Sequence, residues 1–249
     1  MNAISKEDLI PFNLVARMGY PVAVDHAYAK ASHPENVFGQ IYHPDANLWG
    51  HIDMVALTVL AAQKLHKEYE WTLVIKDCLR PVEAQQKIME TDIVQANPHW
   101  LVEPKFLSSP GQGGHPRGMA IDIAAQDKFG QAVDFGTAFD SFSGDAHPEK
   151  NPAHRNYPYS SEQVKENRAR LDNAMLEAAQ KMGRNLLLLS TEWWDFRFPS
   201  DEIGHLSPIE DRHLEDWQKI MTAPAKIPEQ QERRMASMLT NLLQKFDYS

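Results

Sequence analysis

Between Ser108 and Ala124 the chain leaves a loop holding Gly111, Gly113 and Gly114 and enters Met119-Ala-Ile-Asp-Ile-Ala124. The alternation in that stretch predicts a strand carrying Asp122. His115 lies seven positions before Asp122, on the other side of the turn into the strand. The glycines permit backbone conformations and close approaches that other residues cannot make, so a tight turn is expected there. Some seventy residues later Leu186-Leu-Leu-Leu-Ser-Thr-Glu192 reads as a second apolar strand delivering Glu192, with Trp193, Trp194 and Asp195 following. A histidine, two carboxylates and a further glutamate are the parts of a metal-activated hydrolase. One nitrogen and two oxygens can hold a divalent cation while the remaining carboxylate shuttles a proton. On spacing alone, a metal site and a loop histidine beside a strand-end carboxylate both stay open. Trp193 and Trp194 read either as core residues or as walls that keep water from a polar cluster.

The rest of the chain mixes helices and strands without a regular βαβ alternation, which predicts an α+β fold. Four prolines among the first forty-five residues (11, 21, 34 and 44) suggest short strands and loops there. Residues 52–69 have a helix composition, with Val55, Leu57, Val59, Leu60 and Leu65 among alanines. Trp71 to Asp77 reads as a buried strand, and Pro81, just after Arg80, opens a helix. Segment 141–160, rich in Pro, His, Ser and Asn, reads as an irregular excursion, and Glu162 to about Lys181 as a second long helix. Met235, Met238, Leu239, Leu242, Leu243 and Phe246 recur at three- and four-residue steps, predicting a C-terminal amphipathic helix docked on the core.

A net charge of −9 argues against nucleic acid or an anionic membrane surface as a partner. The single cysteine, Cys78, excludes an intramolecular disulfide and a cysteine-rich zinc ribbon. The N-terminus lacks the basic and apolar regions of a signal peptide, and no window approaches the roughly 18 apolar residues of a membrane span. A cytoplasmic protein is therefore expected. The oligomeric state is not legible.

Five motifs carry a resemblance from about Val22 to Phe198: Asn36-Val-Phe-Gly-Gln-Ile-Tyr42, Ile75-Lys-Asp-Cys-Leu-Arg-Pro81, the His115 to Asp122 stretch, Phe135-Gly-Thr-Ala-Phe-Asp-Ser-Phe142, and Ser190-Thr-Glu-Trp-Trp194. In this order they resemble the D-alanyl-D-alanine dipeptidases of the vancomycin-resistance type. These are zinc peptidases related to D,D-carboxypeptidases and to the Hedgehog signalling domain. The resemblance implies a single α+β domain with a central antiparallel sheet flanked by helices. A catalytic domain over residues 1–199 and a C-terminal extension over 200–249, with its amphipathic helix packed on that domain, are expected. It further implies that His115, Asp122 and Asp195 hold one divalent metal, that Glu192 is the general base, and that Arg80 stabilises the oxyanion. Asp140 would orient a ligand from behind. The implied reaction is hydrolysis of D-alanyl-D-alanine, or a similar small D-amino-acid dipeptide, by a water that the metal activates.

The pattern breaks at one ligand. The family reads Glu-Trp-Trp-His where this chain reads Glu192-Trp193-Trp194-Asp195. A second carboxylate makes a divalent site formally neutral, which weakens its polarisation of water. Harder oxygen ligation also moves preference from zinc towards manganese or iron. His205, in the loop after residue 200, is an alternative third ligand. Gly113 stands where the family commonly has serine, and Leu79 where it often has tyrosine; both changes fall on the substrate side. A catalytically impaired peptidase-fold binding protein and a carboxypeptidase acting on longer cell-wall peptides are the competing expectations.

Overall fold

The computed structural model describes residues 6–103 and 105–246. The chain opens with β1 (Leu9–Pro11), α1 (Phe12–Arg17), β2 (Val22–Val24) and β3 (Trp49–His51). Next come α2 (Ile52–Tyr69), β4 (Thr72–Asp77), α3 (Val82–Met89), α4 (Asp92–Ala96) and β5 (Ala120–Gln126). It ends with α5 (Glu162–Lys181), β6 (Leu187–Leu188), β7 (Asp195–Arg197), α6 (Ser200–Ile203) and α7 (Glu229–Gln244). Five strands form one sheet in the order β2-β4-β5-β7-β6, and β1 pairs with β3 in a small second sheet. The large sheet is antiparallel except at β2–β4, where the chain crosses over through α2.

The two long helices form where composition and caps agree. α2 is alanine- and leucine-rich, and the His51 ring accepts from the Asp53 N–H at 3.2 Å to cap its first turn. Glu70, in the left-handed region at φ 57°, ends it. Ser161 caps α5 by accepting from the Val164 N–H at 3.2 Å. α2 packs along α5 and against β4. Leu73, Ile75, Ile121 and Ile123 are fully buried in the same core as Val55, Leu57 and Leu65. α7 packs on α1, α2 and β1 through Met235, Leu239 and Leu243, and Arg17–Glu232 adds an exposed pair at its edge. Among the described residues, no helix is long and apolar enough to cross a membrane.

Two expectations fail locally. The N-terminal region contains the helix α1 as well as short strands. The predicted strand from Leu186 to Glu192 pairs only at Leu187–Leu188, after which the chain turns and returns as β7. The Leu189 N–H donates to the Asp195 carbonyl at 3.3 Å to close this hairpin. Glu192 therefore sits in a turn, and Asp195 begins a strand.

Register then sets the site. A slip between Ile75 and Asp77 places Asp77 opposite Asp122, and β5–β7 pairing places Asp122 opposite Asp195. Three carboxylates thus stand in a row across β4, β5 and β7. Like charges facing one another across strands are destabilising, so the row requires cations.

Candidate metal centre

His115 lies in a short turn of 3₁₀ helix, His115–Arg117, between the glycine loop and β5. A Cβ added at Gly114 would fall 2.8 Å from the Ala120 Cβ, so only glycine lets the loop lie this close to the strand. Arg117 donates to the carbonyls of Gly111 at 3.1 Å, Gly113 at 2.8 Å and Leu206 at 2.9 Å, fixing the loop from outside. His115 Nδ1 donates to the Cys78 carbonyl at 2.9 Å, which leaves the lone pair on Nε2. Nε2 faces Asp195 Oδ2 at 3.3 Å and Asp122 Oδ2 at 3.5 Å.

Those spacings fit a cation. Tetrahedral ligation at roughly 2.0–2.2 Å sets neighbouring donors about 3.3–3.6 Å apart. Asp122 Oδ1 and Glu192 Oε1 are buried with no hydrogen-bond partner, which a cation and its waters would satisfy. Asp77, and not Asp195, joins His115 and Asp122 in the buried group whose ligand atoms all lie within 4.8 Å of one another. It lies, however, 3.7 Å from Nδ1, the N–H side of the ring, and is already bonded to Arg80 Nε at 2.7 Å and Tyr42 OH at 2.9 Å. We therefore assign Asp77 to supporting Arg80. A second acidic cluster, Asp25, His33 and Glu35, adjoins a 640 Å³ cavity. There Lys76 already fills the cation position, bonded to Asp25 at 2.6 Å and to Glu35.

Two arginines flank the row of carboxylates. Arg80 bridges Asp77 and Asp122, the latter at 3.3 Å, and its guanidinium lies 5.3 Å from the centre of the Tyr28 ring. Asp140, held at φ 56°, accepts from the Tyr28 hydroxyl. It thus reaches the site through Tyr28 and Arg80. On the other side Arg197 grips Asp195, with Nε on Oδ1 at 2.7 Å and Nη2 on Oδ2. His205 is exposed and stands outside the cavity lining. Sequence reading singled out neither Asp77 nor Arg197.

Burial opposes charge on His115, yet Asp122 and Asp195 outweigh it and push its pKa up to about 10. Burial likewise resists ionisation of Asp195, but Arg197 and His115 hold it well below the usual carboxylate range. Burial and then the Asp195 charge drive Glu192 well up. With metal removed by chelator, this shift ties the stability of the fold to pH. A pKa raised in the folded state adds stability that is complete below the ordinary 6.5 and is lost as pH climbs through about 10. In urea denaturation, the advantage of wild type over His115→Gln should shrink from pH 6 to pH 10. An advantage that grows over that range contradicts the assignment.

The cavity at this centre is about 30 Å³, and Arg80, His115, Asp122, Glu192 and Asp195 line it together with Phe106 and Phe142. Trp194 lies edge-on to Phe139, and Trp193 stacks on Phe135 and donates to Thr137 Oγ1 at 2.8 Å. The two tryptophans thereby anchor the segment that carries Asp140.

A profile of the D-ala-D-ala dipeptidase family matches residues 10–219. A D-alanyl-D-alanine dipeptidase of Escherichia coli (strain K12) is 27% identical over 166 residues, covering 66% of this chain and 74% of that protein. Among solved structures, an L-Ala D-Glu endopeptidase of Serratia marcescens shares 13% identity. It covers 61% of this chain and 83% of its own, with a TM-score of 0.37.

Proposed function

The chain belongs to the D-ala-D-ala dipeptidase family of peptidases, and on that premise we propose that it is a metal-dependent hydrolase of D-alanyl-D-alanine or a similar small D-amino-acid dipeptide. The observation that carries the reading is the convergence of His115 Nε2, Asp122 and Asp195 beside a buried glutamate with an unpaired oxygen. His115, Asp122 and Asp195 would hold one divalent cation, zinc by family resemblance, with manganese or iron also suited to two carboxylates and one imidazole. That cation would polarise the scissile carbonyl and acidify a water beside it.

The side chains divide the remaining work. Glu192, kept out of bulk water and with its pKa raised, takes a proton from the attacking water on a carboxylate oxygen and returns it to the leaving amine. Arg80, fixed by Asp77 and backed by Tyr28, presents a guanidinium where negative charge grows on the carbonyl oxygen. The pocket, roomy enough for only a water or two, keeps bulk solvent from competing. A cavity of that size admits a dipeptide only if its wall moves.

One observation favours a second reading, a binding protein that does not turn over: Arg197 engages both oxygens of Asp195. Incubation of the full-length chain with D-alanyl-D-alanine and zinc, manganese or iron separates the two. The dipeptidase reading predicts free D-alanine that disappears on chelation and returns when metal is restored. Saturable binding of the dipeptide with no D-alanine released under any metal supports the binder instead.

A further inference from the structure

Resting on the metal centre proposed above, we infer that Asp195 and Arg197 act as one ligand unit, in which the guanidinium supplies the positive charge that a second carboxylate removes. The two residues are next-but-one neighbours on β7, so their side chains leave the same face of the sheet. Arg197 meets Asp195 with a fork, Nε on Oδ1 at 2.7 Å and Nη2 on Oδ2. Asp195 is buried, so this contact is made away from bulk water, where charge is felt strongly.

The charges close. A divalent cation on neutral His115, Asp122 and Asp195 sums to zero, and Arg197 brings the centre to +1. The same sum follows from a single carboxylate with two imidazoles. The Asp195–Arg197 pair is thus electrostatically equivalent to a neutral ligand in that position, and the weakened polarisation expected from two carboxylates is offset. Asp195 Oδ2 still faces His115 Nε2 at 3.3 Å and keeps a ligating direction towards it. The backbone there has separate support. Arg155 donates to the Asp195 carbonyl at 2.8 Å and lies 4.5 Å from the centre of the Phe196 ring, so changing Arg197 leaves β7 anchored.

The test is divalent-metal affinity of the metal-stripped, full-length chain, measured for zinc and for manganese by competition with a chromophoric chelator. Asp195→His alone leaves Arg197 without its partner beside the cation and should weaken binding roughly tenfold or more. Adding Arg197→Gln to that variant should bring affinity back to near wild type. Arg197→Lys, which keeps the charge without the fork, should stay within about threefold of wild type, the low end of what one hydrogen bond is worth. Thermal melts confirm that each variant is folded. Binding by Asp195→His as tight as wild type, no recovery in the double variant, or a large loss in a folded Arg197→Lys overturns the inference while leaving the metal centre standing. Binding of neither metal by any of the four proteins overturns both together.

Discussion

Replacing Glu192 by glutamine should lower turnover of D-alanyl-D-alanine by about 10²–10⁴-fold, the usual contribution of a positioned general base, while metal content stays unchanged. Glutamine preserves the shape and burial of the side chain but cannot accept the proton. Glu192 lies in the turn ahead of β7, outside the proposed ligand set, so the cation has no reason to leave. Burial and the Asp195 charge raise its pKa, the direction that favours holding a proton on the carboxyl group. Steady-state rates combined with metal analysis of the same samples check both halves. A variant that retains activity within tenfold removes Glu192 from the proposed mechanism.

The largest stability effect should come from a residue that never touches the centre. Arg168 is buried and donates to the carbonyls of Phe135, Pro152 and His154 at 2.6–2.9 Å. These bonds pin both ends of the irregular segment that carries Asp140 to helix α5. Arg168→Met fills similar space but leaves the Phe135 and Pro152 carbonyls unmet, each worth about 1–3 kcal/mol when buried, while the His154 carbonyl keeps the Tyr157 N–H at 3.0 Å. Removing a charge that burial already disfavours, with a pKa lowered to about 10, offsets part of that. A net loss of about 3 kcal/mol is expected in urea denaturation, with lower dipeptidase activity because the wall of the site loosens. A loss below about 1 kcal/mol would show that solvent or a rearranged loop satisfies those carbonyls.

Local signals in the chain reach a definite limit. α2 and α5 are legible because alanine-rich composition and periodic leucines point the same way. The Gly114–His115–Asp122 turn is legible because a glycine-dense loop abuts an alternating strand. The β6–β7 hairpin is not, since four consecutive leucines suit a longer strand equally well and only pairing of β7 with β5 decides where the chain turns. Asp77 escapes notice because its place in the row depends on a bulge in β4, which leaves no mark on composition. Arg197 did leave one: in Asp195-Phe196-Arg197-Phe198 opposite charges alternate with phenylalanines, the pattern of an ion pair on one face of a strand. The reach of Asp140 to Tyr28 spans 112 positions and is a property of the fold alone.

In the proposed centre one metal is held by His115, Asp122 and the Asp195–Arg197 pair. Elemental analysis of the purified full-length chain after exposure to zinc, manganese and iron tests this most directly. One divalent cation per chain is predicted for wild type and for Glu192→Gln, with loss of the metal in Asp122→Asn. A wild-type chain that retains no divalent metal, or an Asp122→Asn chain that retains it undiminished, contradicts the account.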